Sequence, residues 1–204
     1  LISFEGGEGS GKSTQIALLE KCFLEAGHEV VTLREPGGTT IGEQIRAIVL
    51  GSQNPNISFA TEVLLFQAQR AQLYHEVVLP KLAEGCVVLM DRTRDSSVVY
   101  QGIVRRFGKD LIEELNTIAT QDTYPNMTFL LDVSVEVGLG RRHAENGTSN
   151  RIDNETRDFH EQVREAYLEL AREDVKGRWV ILSGEQPVEK IAKEVWHAVS
   201  KRIS

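Results

Sequence analysis

The sequence predicts an α/β protein: a five-stranded parallel sheet flanked by helices, in a single domain over residues 1–204. Three observations predict it. Short apolar or β-branched runs alternate with longer stretches of helical periodicity along the whole chain, the pattern of a sheet built from right-handed crossovers. Residues 86–90 form an unbroken apolar run, as in a parallel strand buried on both faces. Residues 6–13 join the first strand to the first helix through a turn holding glycines at 6, 7, 9 and 11, and such a turn sets a helix N-terminus at the carboxyl edge of the sheet.

In chain order, residues 1–4 read as a buried strand and a helix opens at Lys12, with a stop at Ala26-Gly27. Residues 29–33 are β-branched and short, hence the second strand. Ile41, Ile45, Ile48 and Val49 recur at helical spacing until 51–55 ends the helix. Ser58 with Thr61-Glu62 reads as a capping box opening a long helix up to Pro80 or slightly beyond. After strand 86–90, residues 96–107 and 109–120 read as helices parted near Gly108. Residues 127–132 are the fourth strand, and a helix starts near Ser134. Residues 145–150 are polar with a glycine, so a mobile loop is expected there. A helix over 154–175, a fifth strand over 178–182 and a closing helix over 187–203 complete the chain.

Composition narrows the function. Hydrophobic residues make up 41%, enough for a sizeable core, and the net charge of −7 argues against a general nucleic-acid or anionic-membrane binder. No run reaches membrane-spanning length and the first residues form a strand, so no leader is expected. The two cysteines have no metal spacing and read as reduced thiols of a cytosolic protein. Twelve arginines but two lysines lie between Arg34 and Arg164, a bias toward planar, bidentate recognition of phosphates and bases, although some serve as ordinary surface charges.

The chemistry concentrates at Gly6-Gly7-Glu8-Gly9-Ser10-Gly11-Lys12-Ser13, which fits G-x-x-x-x-G-K-[ST] between a strand and a helix. Its glycines let backbone N–H groups turn inward, so a polyphosphate fits the nest, with Lys12 reaching the β- and γ-phosphates and Ser13 on Mg²⁺. The plainer reading is a glycine-rich connection. Asp91-Arg92 directly follows the buried strand, where open α/β sheets bind ligands; a salt-bridged strand end is the alternative.

Four blocks, residues 4–14, 34–39, 64–70 and 91–102, resemble the thymidylate kinase family in order and spacing: Phe-Glu-Gly-Gly-Glu-Gly-Ser-Gly-Lys-Ser-Thr, Arg-Glu-Pro-Gly-Gly-Thr, Leu-Leu-Phe-Gln-Ala-Gln-Arg, and Asp-Arg followed by Asp-Ser-Ser and Tyr-Gln-Gly. The resemblance implies a P-loop nucleoside monophosphate kinase fold, and transfer of the γ-phosphoryl of ATP to dTMP with Mg²⁺. It also implies a cytoplasmic homodimer with no nucleic-acid or membrane partner. A phosphate-loop switch is the alternative class, but it needs no second nucleotide pocket.

By position the resemblance gives the loop from Gly6 to Thr14 to ATP, Phe66 to stacking on thymine and Arg70 to its O4. Core packing is the alternative for Phe66. Ser97 and Gln101 take the remaining base edge, Tyr100 the deoxyribose, and Arg92 the dTMP phosphate, with Arg34 and Arg46 as further candidates. Asp91 acts through Mg²⁺ or its waters, and Glu8 resembles the acid that accepts from the 3′-OH. Thr93 and Val99 depart from the usual residues and are expected to reshape the pocket. Ser10 stands where one subtype has an arginine; in the other subtype the arginine comes from a mobile lid, here about 141–155. Arg151 is therefore the expected catalytic arginine, with pairing to Asp153 or Glu155 as the plainer reading, and Arg141 or Arg142 is set against adenine.

Overall fold

A computed structural model describes residues 1–144 and 150–203. Strands β1 (Ile2–Glu5), β2 (Val30–Arg34), β3 (Val87–Asp91), β4 (Met127–Asp132) and β5 (Trp179–Ser183) form one sheet in the order β2-β3-β1-β4-β5. Every pairing is parallel, and Phe4 stands opposite both Asp91 and Phe129. β1 is therefore the middle strand, buried along its whole length. Its chain crosses toward β2 on one side while β4 lies on the other. The phosphate loop that leaves its end sits at the point where the strand order reverses, the crevice of an open α/β sheet.

Helix α1 (Lys12–Glu25) and helix α9 (Val188–Ile203) cover one face, packing Ile16, Leu19, Phe23, Ile191, Val195 and Val199 against Phe4, Leu89 and Phe129. The other face carries α3 (Phe59–Leu73), α4 (Leu79–Ala83), α5 (Arg94–Ser97), α6 (Lys109–Thr120) and α8 (Arg157–Arg172). Helix α2 (Thr40–Leu50) flanks α3, and α7 (Val135–Ala144) follows β4. Among the described residues no helix is long and apolar enough to cross a membrane.

Periodicity predicts ordinary helix where the chain instead forms two π-helical turns, Tyr74–Val78 and Val98–Val104. In the second, the Arg105 N–H donates to the Tyr100 carbonyl five residues back at 2.9 Å, and the adjacent Tyr100 and Gln101 both face one cavity. Such turns concentrate at functional sites because they redirect side chains without ending the helix.

Two helix starts differ from expectation. Ser58 caps α3 as predicted, its hydroxyl accepting from the Thr61 N–H at 3.2 Å. Glu62 does not complete a capping box; it is buried and takes Gln101 Nε2 at 2.8 Å and the Arg151 guanidinium instead. Helix α8 starts at Arg157 behind the Thr156 cap, three residues later than predicted. Residues 150–153 are held apart from it, because Asn150 Oδ1 accepts from the Ile152 and Asp153 N–H groups at 2.8 and 3.0 Å. The expected mobile loop falls on residues 145–149, outside the described residues, and on Asn150.

Candidate active site

The phosphate loop closes tightly around its lysine. Gly9 has φ +64° and lies so near α7 that a Cβ would meet the Gly138 carbonyl oxygen at 2.0 Å, so a side chain is excluded twice over. Gly11, at φ +92°, ends the loop and α1 begins at Lys12. Lys12 folds back over the turn, its Nζ donating to the Gly7 carbonyl at 3.0 Å, the Ser10 hydroxyl at 3.2 Å and the Gly6 carbonyl at 3.3 Å. Burial, with Arg92 alongside, lowers the pKa of this ammonium.

Across the sheet, β3 ends at Asp91, whose Oδ2 accepts from the Ser13 hydroxyl at 3.0 Å. Arg92 then takes a left-handed conformation, φ +67°, which costs energy for a residue with a Cβ. It is clamped on both sides: its N–H donates to the Phe4 carbonyl at 3.0 Å, and the next N–H, of Thr93, donates to Glu5 Oε1 at 2.8 Å. The guanidinium bends over Tyr100, 5.3 Å from the ring centroid, and donates to Glu8 Oε1 at 2.6 Å. Burial alone would raise the Glu8 pKa, but Arg92 and Lys12 hold it below the usual carboxylate value.

These groups line a cavity of about 330 Å³. Its walls bring together the sequence-predicted Glu8, Gly9, Ser10, Gly11, Lys12, Ser13, Thr14, Arg34, Arg46, Phe66, Arg70, Asp91, Arg92, Ser97, Tyr100 and Gln101. Arg34 and Arg46 share the Pro36 carbonyl, at 3.2 and 2.7 Å. Burial and the neighbouring Arg34 lower the pKa of Arg46, the mark of positive charge gathered in one place. Gly6 and Gly7 carry their carbonyls to Lys12 behind the wall. Thr93 and Val99, expected to reshape the pocket, are fully buried and lie outside its lining.

Three expected site residues have different surroundings from those their roles suggest. Arg70 lies in the wall, but its Nε and Nη2 donate to Glu35 Oε2 at 2.8 and 2.6 Å. Its Nη1 donates to Ser97 and Asn116 at 3.0 and 2.9 Å, and Nη2 also to the Thr93 carbonyl at 3.2 Å. All five guanidinium hydrogens are thus engaged within the protein. Arg151 is outside the lining: it ion-pairs with buried Glu62, and its Nε donates to the Val49 carbonyl at 3.1 Å. Neither Asp153 nor Glu155 is that ion-pair partner; Asp153 instead binds Arg142, which does line the cavity. Arg141 donates to the Gly184 carbonyl at 2.9 Å, and Gly184 in turn packs against the Ser10 carbonyl, behind the phosphate loop.

The sequence reading assigned several neighbours of the site no role of their own: Glu5, Asn116, Tyr167 and, in the cavity wall itself, Glu35, Ser96 and the lid residues Asn150 and Ile152. The Glu-Pro-Gly-Gly run pointed at Glu35, but nothing local shows that its partner is an arginine 35 residues away.

A family model described as Thymidylate kinase matches residues 4–195. The chain belongs to the thymidylate kinase family. Similar curated proteins include the thymidylate kinase of Geotalea daltonii, 46% identical and covering 100% of this chain and 97% of that protein. The thymidylate kinase of Geobacter sulfurreducens is 44% identical over 99% and 97% of the two chains. The solved thymidylate kinase of Ehrlichia chaffeensis superposes with a TM-score of 0.79 at 28% identity over 97% of each chain. The fold is that of a P-loop nucleoside monophosphate kinase.

Proposed function

We propose that this kinase transfers the γ-phosphoryl of ATP to dTMP, giving dTDP and ADP for dTTP synthesis. One observation carries the reading: a single cavity joins a phosphate loop to a second, aromatic and polar pocket, with Arg92 between them. A nucleotide switch needs only the first half of that cavity.

Phosphoryl transfer asks the protein chiefly for alignment and charge. The loop amides and the α1 N-terminus cradle the triphosphate, and Lys12 follows the group in transit. Arg92, with Arg34 and Arg46, holds the acceptor phosphate; Glu8, kept ionised by Arg92, accepts from the 3′-OH. Phe66 stacks on the base, and Tyr100 packs where a 2′-OH would stand. Ser97 and Gln101 address the base edge. The Ser97 oxygen already accepts from Arg70, so its own proton is left to donate, and Arg70 reaches O4 directly only by releasing one of its present partners. Arg141 lies toward the adenine side.

The Ser13 hydroxyl and Asp91 carboxylate, 3.0 Å apart in the cavity, are the hard oxygen donors that suit Mg²⁺, directly or through its waters, with phosphates as the other ligands. Bound there, the ion would neutralise charge on the transferring group. Arg151 is the proposed catalytic arginine of the lid and would exchange Glu62 for the γ-phosphoryl. A cytoplasmic homodimer completes the reading; exposed Ile48 on α2 and Leu64 on α3 offer apolar surface for it.

Thermal stabilisation tests the substrate class. At equal concentrations dTMP should raise the melting temperature more than dUMP, dCMP, dAMP or GMP, and equal shifts for all five would refute the assignment.

A further inference from the structure

Glu5 immediately precedes the phosphate loop and takes no part in binding ATP or dTMP in the proposed reaction. It is fully buried at the end of the central strand. Its Oε1 takes the Thr93 N–H, one of the two clamps on the strained Arg92. Its Oε2 is one corner of a closed triangle of oxygens. Ser96 Oγ lies 2.6 Å from it, Tyr167 Oη 2.7 Å, and the two hydroxyls lie 2.8 Å from each other. Arg92 Nη1 rests on the same pair, donating to Tyr167 at 3.2 Å and Ser96 at 3.4 Å.

Proton counting decides the state of that triangle. Three oxygen–oxygen contacts need three hydrogens. With an ionised carboxylate the two hydroxyls supply only two, and one close contact is left as lone pair against lone pair. With a carboxylic acid each corner donates once and accepts once around the ring, and both hydroxyl oxygens still accept from Arg92.

We propose that Glu5 is a positioning residue of the acceptor site: with Ser96 and Tyr167 it forms a proton-carrying support that holds Arg92 in place for the acceptor phosphate. The proposal rests on the reading of Arg92 as that phosphate's ligand. Removing the proton opens one edge of the support and adds a second carboxylate, beside Glu8, that competes with the phosphate for Arg92. Acceptor binding therefore weakens as pH rises through the Glu5 pKa.

The electrostatic setting agrees with the count. Burial and the nearby Asp95 push the Glu5 pKa up to about 7, against the opposing pull of Arg92, Ser96 and Tyr167. Lys12 of the loop, Tyr100 of the π-helical turn and Arg178 before β5 also face it electrostatically.

Two measurements on the full chain test the proposal. Carbon-13 NMR of labelled glutamate carboxyls should show one resonance titrating near pH 7 that disappears in Glu5→Gln. If that variant does not fold, the resonance that Tyr167→Phe moves identifies Glu5. A midpoint below about 5, an ordinary carboxylate, overturns the proposal. The second is the dTMP KM from about pH 6 to about pH 9 for wild type and Glu5→Gln, since ionisation of the substrate phosphate affects both alike. The wild-type to Glu5→Gln ratio should rise by about threefold or more, and a flat ratio overturns the proposal. Arg92→Lys separates the two readings: if it leaves the dTMP KM within about twofold, the role of Arg92 fails, while the NMR midpoint still decides the protonated support.

Discussion

Arg70 and Glu35 form a buried ion pair, Nη2 to Oε2 at 2.6 Å, with side-chain exposures of 1% and 2%. Four residues from Phe66 on the same helix, this arginine is the keystone of the pocket wall, joining the loop after β2 to Ser97, Asn116 and the Thr93 carbonyl. Removing one partner of such a pair strands the other charge in a dry site.

Arg70→Ala should accordingly lower stability by about 3–5 kcal/mol and raise the KM for dTMP far more than that for ATP. Chemical denaturation gives the first quantity and substrate-variation kinetics the second. Equal damage to both KM values would place Arg70 outside the acceptor pocket.

The pattern Phe-x-x-x-Arg was readable because both residues lie on one helix face. The engagement of Arg70 was not, since its partners come from three other segments. Strand positions were readable to within a residue, 127–132 without any shift, because each is a short apolar run between turn residues. Strand order depends on which runs pair across long separations, and no local pattern carries it. The π-helical turn at Val98–Val104 was hidden for a related reason: one inserted residue barely disturbs apolar periodicity, though it brings Tyr100 and Gln101 to the same cavity. Glu62 matched a capping pattern, yet the pull of Gln101 and Arg151, far along the chain, outweighed it. Glu5 went unnoticed because the glycines beside it account for the motif.

Glu5 also shapes stability. Its pKa is about 7 in the folded protein against an ordinary 4.5, so between those values the folded state holds a proton that the unfolded chain has released. Its contribution is complete below the ordinary value and is lost as pH rises toward 7. Measured by denaturant unfolding, wild type should lose stability relative to Glu5→Gln across that window and run parallel to it above. A relative gain over the same window would mean a carboxylate stabilised in its ionised form.

Arg151→Ala should lower kcat by orders of magnitude, within the roughly 10³–10⁵ range of supplied arginines, with the dTMP KM nearly unchanged. Its melting temperature must be followed in parallel, because Glu62 loses a partner. A kcat loss below about tenfold would leave Arg151 as a structural ion and shift attention to Arg142, which already lines the cavity.

If one cavity brings ATP to a thymine nucleotide, ADP release in a coupled assay with ATP, Mg²⁺ and each monophosphate in turn will depend on the acceptor base. Release should be rapid with dTMP and far slower with dCMP, dAMP or GMP. Release at one rate whether or not a monophosphate is present, as a nucleotide switch would give, would contradict that reading.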